Sequence, residues 1–209
     1  MASFLSAPST RRLSHTSTIP YSPNVTFAAL TDISSYHQAT SLIHSSSTTA
    51  RDAQNNNLPK TAKLHIGYPP LGLTETWNCS VKCNKREGTI EIKREGESSV
   101  LEKSEMRWAV VPAEGGRASQ LRVELQVKFK SAMVDSMFYM MEGYVAQTTL
   151  ERFTGLVKAR DEKEKKEAAA AALKKKAAPP PVAIKRVPKK LEVRSPPGAA
   201  SGKQKSPAV

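Results

Sequence analysis

Through its middle the chain alternates. Ala62, Leu64, Ile66 and Tyr68 stand apolar against Lys63, His65 and Gly67, as in a strand with one face on a core. After a turn at Pro69-Pro70-Leu71-Gly72, Leu73, Glu75, Trp77, Cys79, Val81 and Cys83 share one parity against Thr74, Thr76, Asn78, Ser80 and Lys82. Residues 84–88 turn the chain into Thr89-Ile90-Glu91-Ile92. Residues 96–99 lead to a strand through Met106, Trp108 and Val110, and 112–116 close the next hairpin. The final strand is the clearest: Leu121, Val123, Leu125, Val127 and Phe129 alternate with Arg122, Glu124, Gln126, Lys128 and Lys130. Hairpins in series, each with one polar face, predict an antiparallel sheet wetted on one side.

The apolar face of such a sheet needs a cover. Residues 131–160 contain no Pro, and their apolar positions recur at Val134, Met137, Met141, Val145, Phe153 and Leu156, widened sideways by Met133, Met140 and Tyr144. This predicts a long amphipathic helix laid across the sheet. It can run on through 163–176, where Ala, Glu and Lys dominate, until Pro179-Pro180-Pro181 stops it. Ahead of the sheet, residues 13–19 read as a first strand ended by Pro20. Ser22-Pro23 reads as an N-cap followed by proline at the first helical position, with Val25, Phe27, Ala28, Ala29 and Leu30 forming the apolar stripe. A second short helix starts at Ser34 or Ser35. Residues 45–60, rich in Ser, Thr and Asn and without an aromatic, read as a loop.

Charge separates a folded part from a tail. From Lys158 to Val209 there are fifteen Lys or Arg against five Asp or Glu, a net of +10 out of +13 for the whole chain of 209 residues. A basic excess confined to the tail argues against a nucleic-acid footprint on the folded surface. No Asp or Glu precedes Asp32, whereas Arg11 and Arg12 sit among Ser and Thr, the composition of a mitochondrial presequence. The organisation read from the sequence is a presequence over 1–12, one domain over 13–160 and a disordered basic tail over 161–209.

Candidate chemistry is sparse. Cys79 and Cys83 lie on one strand face, too close along the chain for a typical structural disulfide and without the partners of a zinc site. His15, His37, His44 and His65 sit in polar contexts with no carboxylate pair or nucleophile arranged around them, although His37 and His44 are candidates for neighbours. No G-x-S-x-G, P-loop or dinucleotide fingerprint occurs. Glu75, the one carboxylate on an apolar parity, reads as an edge-strand residue facing water. No stretch reaches the roughly 20 apolar residues of a membrane span.

Several segments resemble the mitochondrial coenzyme Q-binding protein family. Ile19-Pro20-Tyr21-Ser22, followed by Leu30-Thr31-Asp32-Ile33-Ser34-Ser35-Tyr36-His37, is similar to that family's opening, a proline-tyrosine pair leading into an aspartate-x-x-x-tyrosine turn. Ala62-Lys63-Leu64-His65-Ile66-Gly67-Tyr68 resembles its Ala-x-Leu-x-Val-Gly-Phe strand, Trp108 its strand tryptophan, and Phe129-Lys130-Ser131 its corner into the long helix. The likeness spans residues 14–160. Two features depart from it: Tyr36 is followed by His37-Gln38-Ala39-Thr40-Ser41 where the family continues with Phe-Leu-Pro and a cysteine, and the tail after Arg160 has no counterpart.

The resemblance implies an α+β helix-grip (START-like, Bet v 1-like) domain with a lipid cavity between sheet and helix. It implies a bound isoprenoid quinone, ubiquinone, with no catalytic cofactor, metal or reaction. The residues expected around that ligand are Leu30, Ile33, Tyr36, Leu64, Ile66, Tyr68, Leu73, Trp77, Trp108, Met133, Met137, Met140, Met141 and Tyr144. The implied role is to hold ubiquinone for respiratory electron transport or for its biosynthetic complex, at the matrix side of the mitochondrial inner membrane. Contact with that membrane would be peripheral and would use the basic tail. Alternatives on the same fold are a ribosome-associated protein, for which the tail would suit rRNA, and a polyketide cyclase.

Overall fold

The structure, a computed structural model, describes residues 9–40, 42–68 and 73–177. Strand β1 (Thr10–Ile19) pairs antiparallel with the last strand, β7 (Ala118–Phe129), from Thr10 opposite Lys128 to Ile19 opposite Ser119. Between them in the chain come β2 (Ile43–Asp52), β3 (Leu58–Tyr68), β4 (Leu73–Asn84), β5 (Thr89–Glu95) and β6 (Leu101–Ala113). Every pairing is antiparallel, and the sheet order is β1-β7-β6-β5-β4-β3-β2. The hairpin after β4 depends on Gly88. Its φ of 65° lies in the left-handed region, and a Cβ there would stand 2.2 Å from the Val110 carbonyl oxygen.

Helix α1 (Pro23–Thr31) starts as its sequence dictates, with Pro23 at the first turn and the Ser22 hydroxyl accepting the Val25 N–H at 3.5 Å. A 3₁₀ turn (Ile33–Ser35) and the four-residue α2 (Tyr36–Ala39) follow. The Tyr36 hydroxyl donates to the Leu30 carbonyl at 2.6 Å, tying α2 back to α1. Helix α3 (Ala132–Ala177) has 46 residues, about 70 Å at a rise of roughly 1.5 Å per residue. Its first part lies over the sheet. Arg11 of β1 donates two hydrogen bonds, 2.6 and 2.7 Å, to Asp135 in the first turn of α3, and its guanidinium sits 4.8 Å from the Tyr139 ring centroid.

The core divides into two clusters. The larger one joins α1, α2 and the later part of the roof to the sheet, with Tyr36, Leu30, Ile33, Trp108, Phe153 and Val157 fully buried. Phe153 is its hinge, 4.6 Å from the Tyr36 ring and 4.7 Å from the Trp108 ring. The smaller cluster gathers Val100, Leu101, Val127 and Phe129 under Val134 and Phe138, with Phe129 and Phe138 rings 5.0 Å apart.

Three expectations about the elements are corrected. Residues 45–60 are not a loop: 45–52 belong to β2 and 58–60 to β3, and only a tight turn remains, with Asn56 and Asn57 at positive φ. β2 is an edge strand that buries little on either face, so it carries no apolar alternation to betray it. Residues 10–12 are part of β1, so a boundary after residue 12 would cut the strand and remove the Arg11–Asp135 pair. Residues 161–177 continue the helix, as the expected run through 163–176 allowed, so a tail beginning at 161 starts too early. Arg160–Glu164, Lys165–Asp161 and Lys163–Glu167 ion pairs, all spaced i,i+4, support a stretch with little to bury. The proposed helix stop at Pro179 and the tail beyond it lie outside the described residues.

Candidate functional site

Between the two clusters lies a cavity of about 280 Å³. Its walls follow from the register. Across β3 and β4, Leu64 faces Trp77; across β5, β6 and β7, Ile92, Met106 and Leu125 stand in one row, and Leu101 meets Phe129. The roof is the first part of α3, through Val134, Met137, Phe138, Val145, Thr149 and Phe153. Tyr36 and Thr40 close one side, and Leu42 both lines the cavity and is 42% exposed, which marks its mouth.

Of the residues expected around a ligand, Tyr36, Leu64, Ile66, Trp77 and Met137 line this cavity. Leu30, Ile33 and Trp108 do not; they are fully buried in the larger cluster, behind the wall. The placement of Met133, Met140 and Tyr144 in the cavity is corrected, since they are 60%, 79% and 67% exposed on the outer side of α3. Apolar residues occupy so much of the helix circumference between 133 and 145 that periodicity leaves the phase open. Asp135 bound to Arg11 and Phe138 packed against Phe129 set it. The side chains of Tyr68, Leu73 and Met141 lie outside the described residues.

Sequence reasoning missed the far wall, including Ile92, Met106, Leu125, Val127 and Phe129. Their alternation was plain, and pairing β5 with β6 and β6 with β7 in register would have found them. It also missed two polar members, Arg94 and Ser104. Arg94 pairs with Cys79 across β4 and β5, and Ser104 lies on β6 next to Glu105, which pairs with Lys93 of β5. Nη2 of Arg94 donates to the Leu101 and Glu102 carbonyls at 3.1 and 3.0 Å, and Nη1 to the Gly96 carbonyl. Its Nε is buried and has no partner among the described residues.

Glu75 is also not the water-facing residue expected. Its carboxylate accepts the Trp77 indole N–H at 3.1 Å, the Ser98 hydroxyl at 2.7 Å, and both the hydroxyl and the N–H of Ser99. Burial pushes its pKa up, but the Ser99, Ser98 and Trp77 hydrogen bonds outweigh it and hold the carboxyl at about 2. Glu75 therefore stays ionised and fixes the Trp77 ring, which lines the cavity. Other titratable groups on the wall are suppressed. Burial pushes the Tyr36 phenol well above its ordinary range and the Cys79 thiol up to about 12, Arg94 only partly opposing the latter. The histidines lie elsewhere: His44 pairs with His65, their rings 5.8 Å apart, rather than with His37, whose Nδ1 bonds Ser34 and Ser46. Among the described residues no group of His, Cys, Asp and Glu could hold a metal ion, and no helix is long and apolar enough to cross a membrane.

The arrangement is a largely apolar cavity beneath a helix, with one cationic side chain, Arg94, in its wall. Solved structures share the plan. A START superfamily protein from Mycobacterium smegmatis is similar at 20% identity and a TM-score of 0.58, over 71% of this chain and 97% of that one. The Zhui aromatase/cyclase from Streptomyces sp. R1128 is similar at 13% identity and 0.58, over 73% and 94%. A protein from Thermus thermophilus is similar at 12% identity and 0.57, over 71% and 98%. At such identities these likenesses show the fold, which is the helix-grip plan of START-like domains. No curated protein sequence matches the chain. The family model for polyketide cyclase / dehydrase and lipid transport proteins matches residues 19–154, from the end of β1 to the part of α3 that roofs the cavity, and the chain belongs to that family.

Proposed function

We propose that this protein binds an isoprenoid quinone, ubiquinone, in the cavity beneath α3 and acts as a carrier rather than an enzyme. The observation that carries the reading is the cavity itself, walled by Trp77, Leu64, Met106, Phe129, Phe138 and Met137 and opening at Leu42. A flat quinone ring suits a site with Trp77 held rigidly by Glu75, and Met137 and Met106 adapt to an irregular unsaturated tail. Each buried CH₂ contributes about 0.8 kcal/mol, so a ring and a few isoprene units suffice for useful affinity. The volume of about 280 Å³ is at the lower edge of the roughly 300–1,000 Å³ of ligand pockets, so a long tail must leave through the mouth.

The wall supports binding over catalysis. General acid–base work needs a group that titrates near the operating pH, and the titratable lining side chains Tyr36 and Cys79 are pushed away from it. The same reading sets the protein in mitochondria, peripheral to the inner membrane, delivering ubiquinone to respiratory or biosynthetic complexes. The acid-free start of the chain and the basic tail support that location. Because Arg11 is tied to Asp135, the mature chain in this reading retains Arg11.

The test is lipid extraction and mass analysis of the full chain purified from quinone-containing cells. A polyprenyl quinone in near-stoichiometric amount, lost in Met137→Lys with the fold intact, is the expected result. A protein that is empty and takes up no added quinone overturns the proposal.

A further inference from the structure

We propose that Arg94 and Ser104 form a polar anchor inside the cavity that accepts the oxygen of a bound amphiphile's head group. The inference rests on the ligand-binding reading above and names the chemistry of the head that the cavity takes. Arg94 is a cation on a largely apolar wall, and its Nη hydrogen bonds all go to backbone carbonyls of residues 96, 101 and 102. Those bonds immobilise the guanidinium without neutralising its charge. Its Nε–H, shielded from solvent, donates to nothing among the described residues. A buried donor without an acceptor is costly, and the side chain that carries it lines the cavity.

Ser104 supplies the second group. It is 8% exposed and lines the same cavity as Arg94, on the strand paired with that of Arg94. A serine hydroxyl both donates and accepts, so the pair can hold a carbonyl, an enolate or a carboxylate oxygen. An amine head is disfavoured by the guanidinium charge. The ligand class is therefore an apolar molecule ending in a hydrogen-bond-accepting oxygen, of which a quinone carbonyl is one case, seated with that oxygen at Arg94.

Two probes of similar shape separate the anchor from the cavity: decylubiquinone and decylbenzene, which lacks the ring oxygens. Both are titrated into the full chain, wild type and with Arg94→Met, Arg94→Lys or Ser104→Ala. Arg94→Met is expected to weaken decylubiquinone about tenfold while leaving decylbenzene within about twofold, the loss expected for a hydrogen bond from a charged donor. Arg94→Lys, which keeps charge but not the Nε–H, and Ser104→Ala are expected to shift the ratio of the two affinities the same way. Ser104→Ala changes the fold least and decides the matter if the Arg94 variants do not fold. Equal change for both probes, or none for either, overturns the anchor and leaves the cavity reading standing. A wild-type protein that takes up neither probe overturns both.

Discussion

The two apolar clusters under α3 are built from the same residue types but in opposite ways. In the larger, Phe153 sits between Tyr36 and Trp108, and all three are fully buried. In the smaller, Phe129 and Phe138 form one aromatic pair among aliphatic side chains, Val134 and Phe138 are half-buried, and the neighbouring wall holds Arg94 and Ser104. The cavity lies between the two, bounded by Tyr36, Leu64, Ile66 and Phe153 of the larger cluster and by Leu101, Val127 and Phe129 of the smaller. A core that is filled on one side and left open on the other separates two tasks. The larger cluster behind the wall holds α3 on the sheet, and the space between the two clusters is the room proposed for a ligand.

Substitutions sharpen this comparison. Trp108→Ala is expected to cost about 3–5 kcal/mol, read as a lower urea midpoint, because it empties a fully buried site. If it were tolerated, the larger cluster would not be the stabilising one. Phe138→Ala, half-buried over the cavity, is expected to cost roughly 1–2 kcal/mol and to change ligand affinity more than stability. Equal losses of stability in the two variants would erase the distinction between the clusters.

The pH dependence probes the cavity edge. The Glu75 carboxyl is depressed from 4.5 to about 2 in the folded state, so its stabilisation is fully present above pH 4.5 and is lost as pH falls toward 2. In Glu75→Gln the urea midpoint is expected to fall less between pH 5 and pH 3 than in the wild type, and an unchanged acid limb would remove Glu75 from the account. The smallest effect is expected at Met140→Lys. Its side chain is 79% exposed, so stability should stay within about 0.5 kcal/mol and ligand affinity should be unaltered, whereas Met137→Lys abolishes binding.

The strands with one wet and one dry face were legible because burial imposes period two on them; Leu121 to Phe129 of β7 could be read without a structure. β2 could not, since an edge strand of Ser and Thr has no dry face to write a pattern. The long helix was legible as an element but not in phase, because Met133, Met137, Met140 and Tyr144 look as suited to the cavity as Val134 and Phe138 do. A single long-range pair, Arg11 with Asp135, helps decide which of them point inward. Glu75 and Arg94 were illegible for a related reason. Their meaning depends on Ser98 and Ser99 in one case and on the carbonyls of 96, 101 and 102 in the other, partners that only the folded loop after β5 brings together.

The chain has two tryptophans, one on each side of the comparison: Trp77 on the cavity wall and Trp108 buried behind it. Titrating decylubiquinone while following tryptophan fluorescence reports on a quinone in the cavity, because a quinone quenches the indole it contacts. Saturable quenching in the wild type, with most of its amplitude lost in Trp77→Phe while Trp108 remains, is the predicted result. Quenching that does not saturate, or that survives Trp77→Phe undiminished, would contradict a quinone site in this cavity.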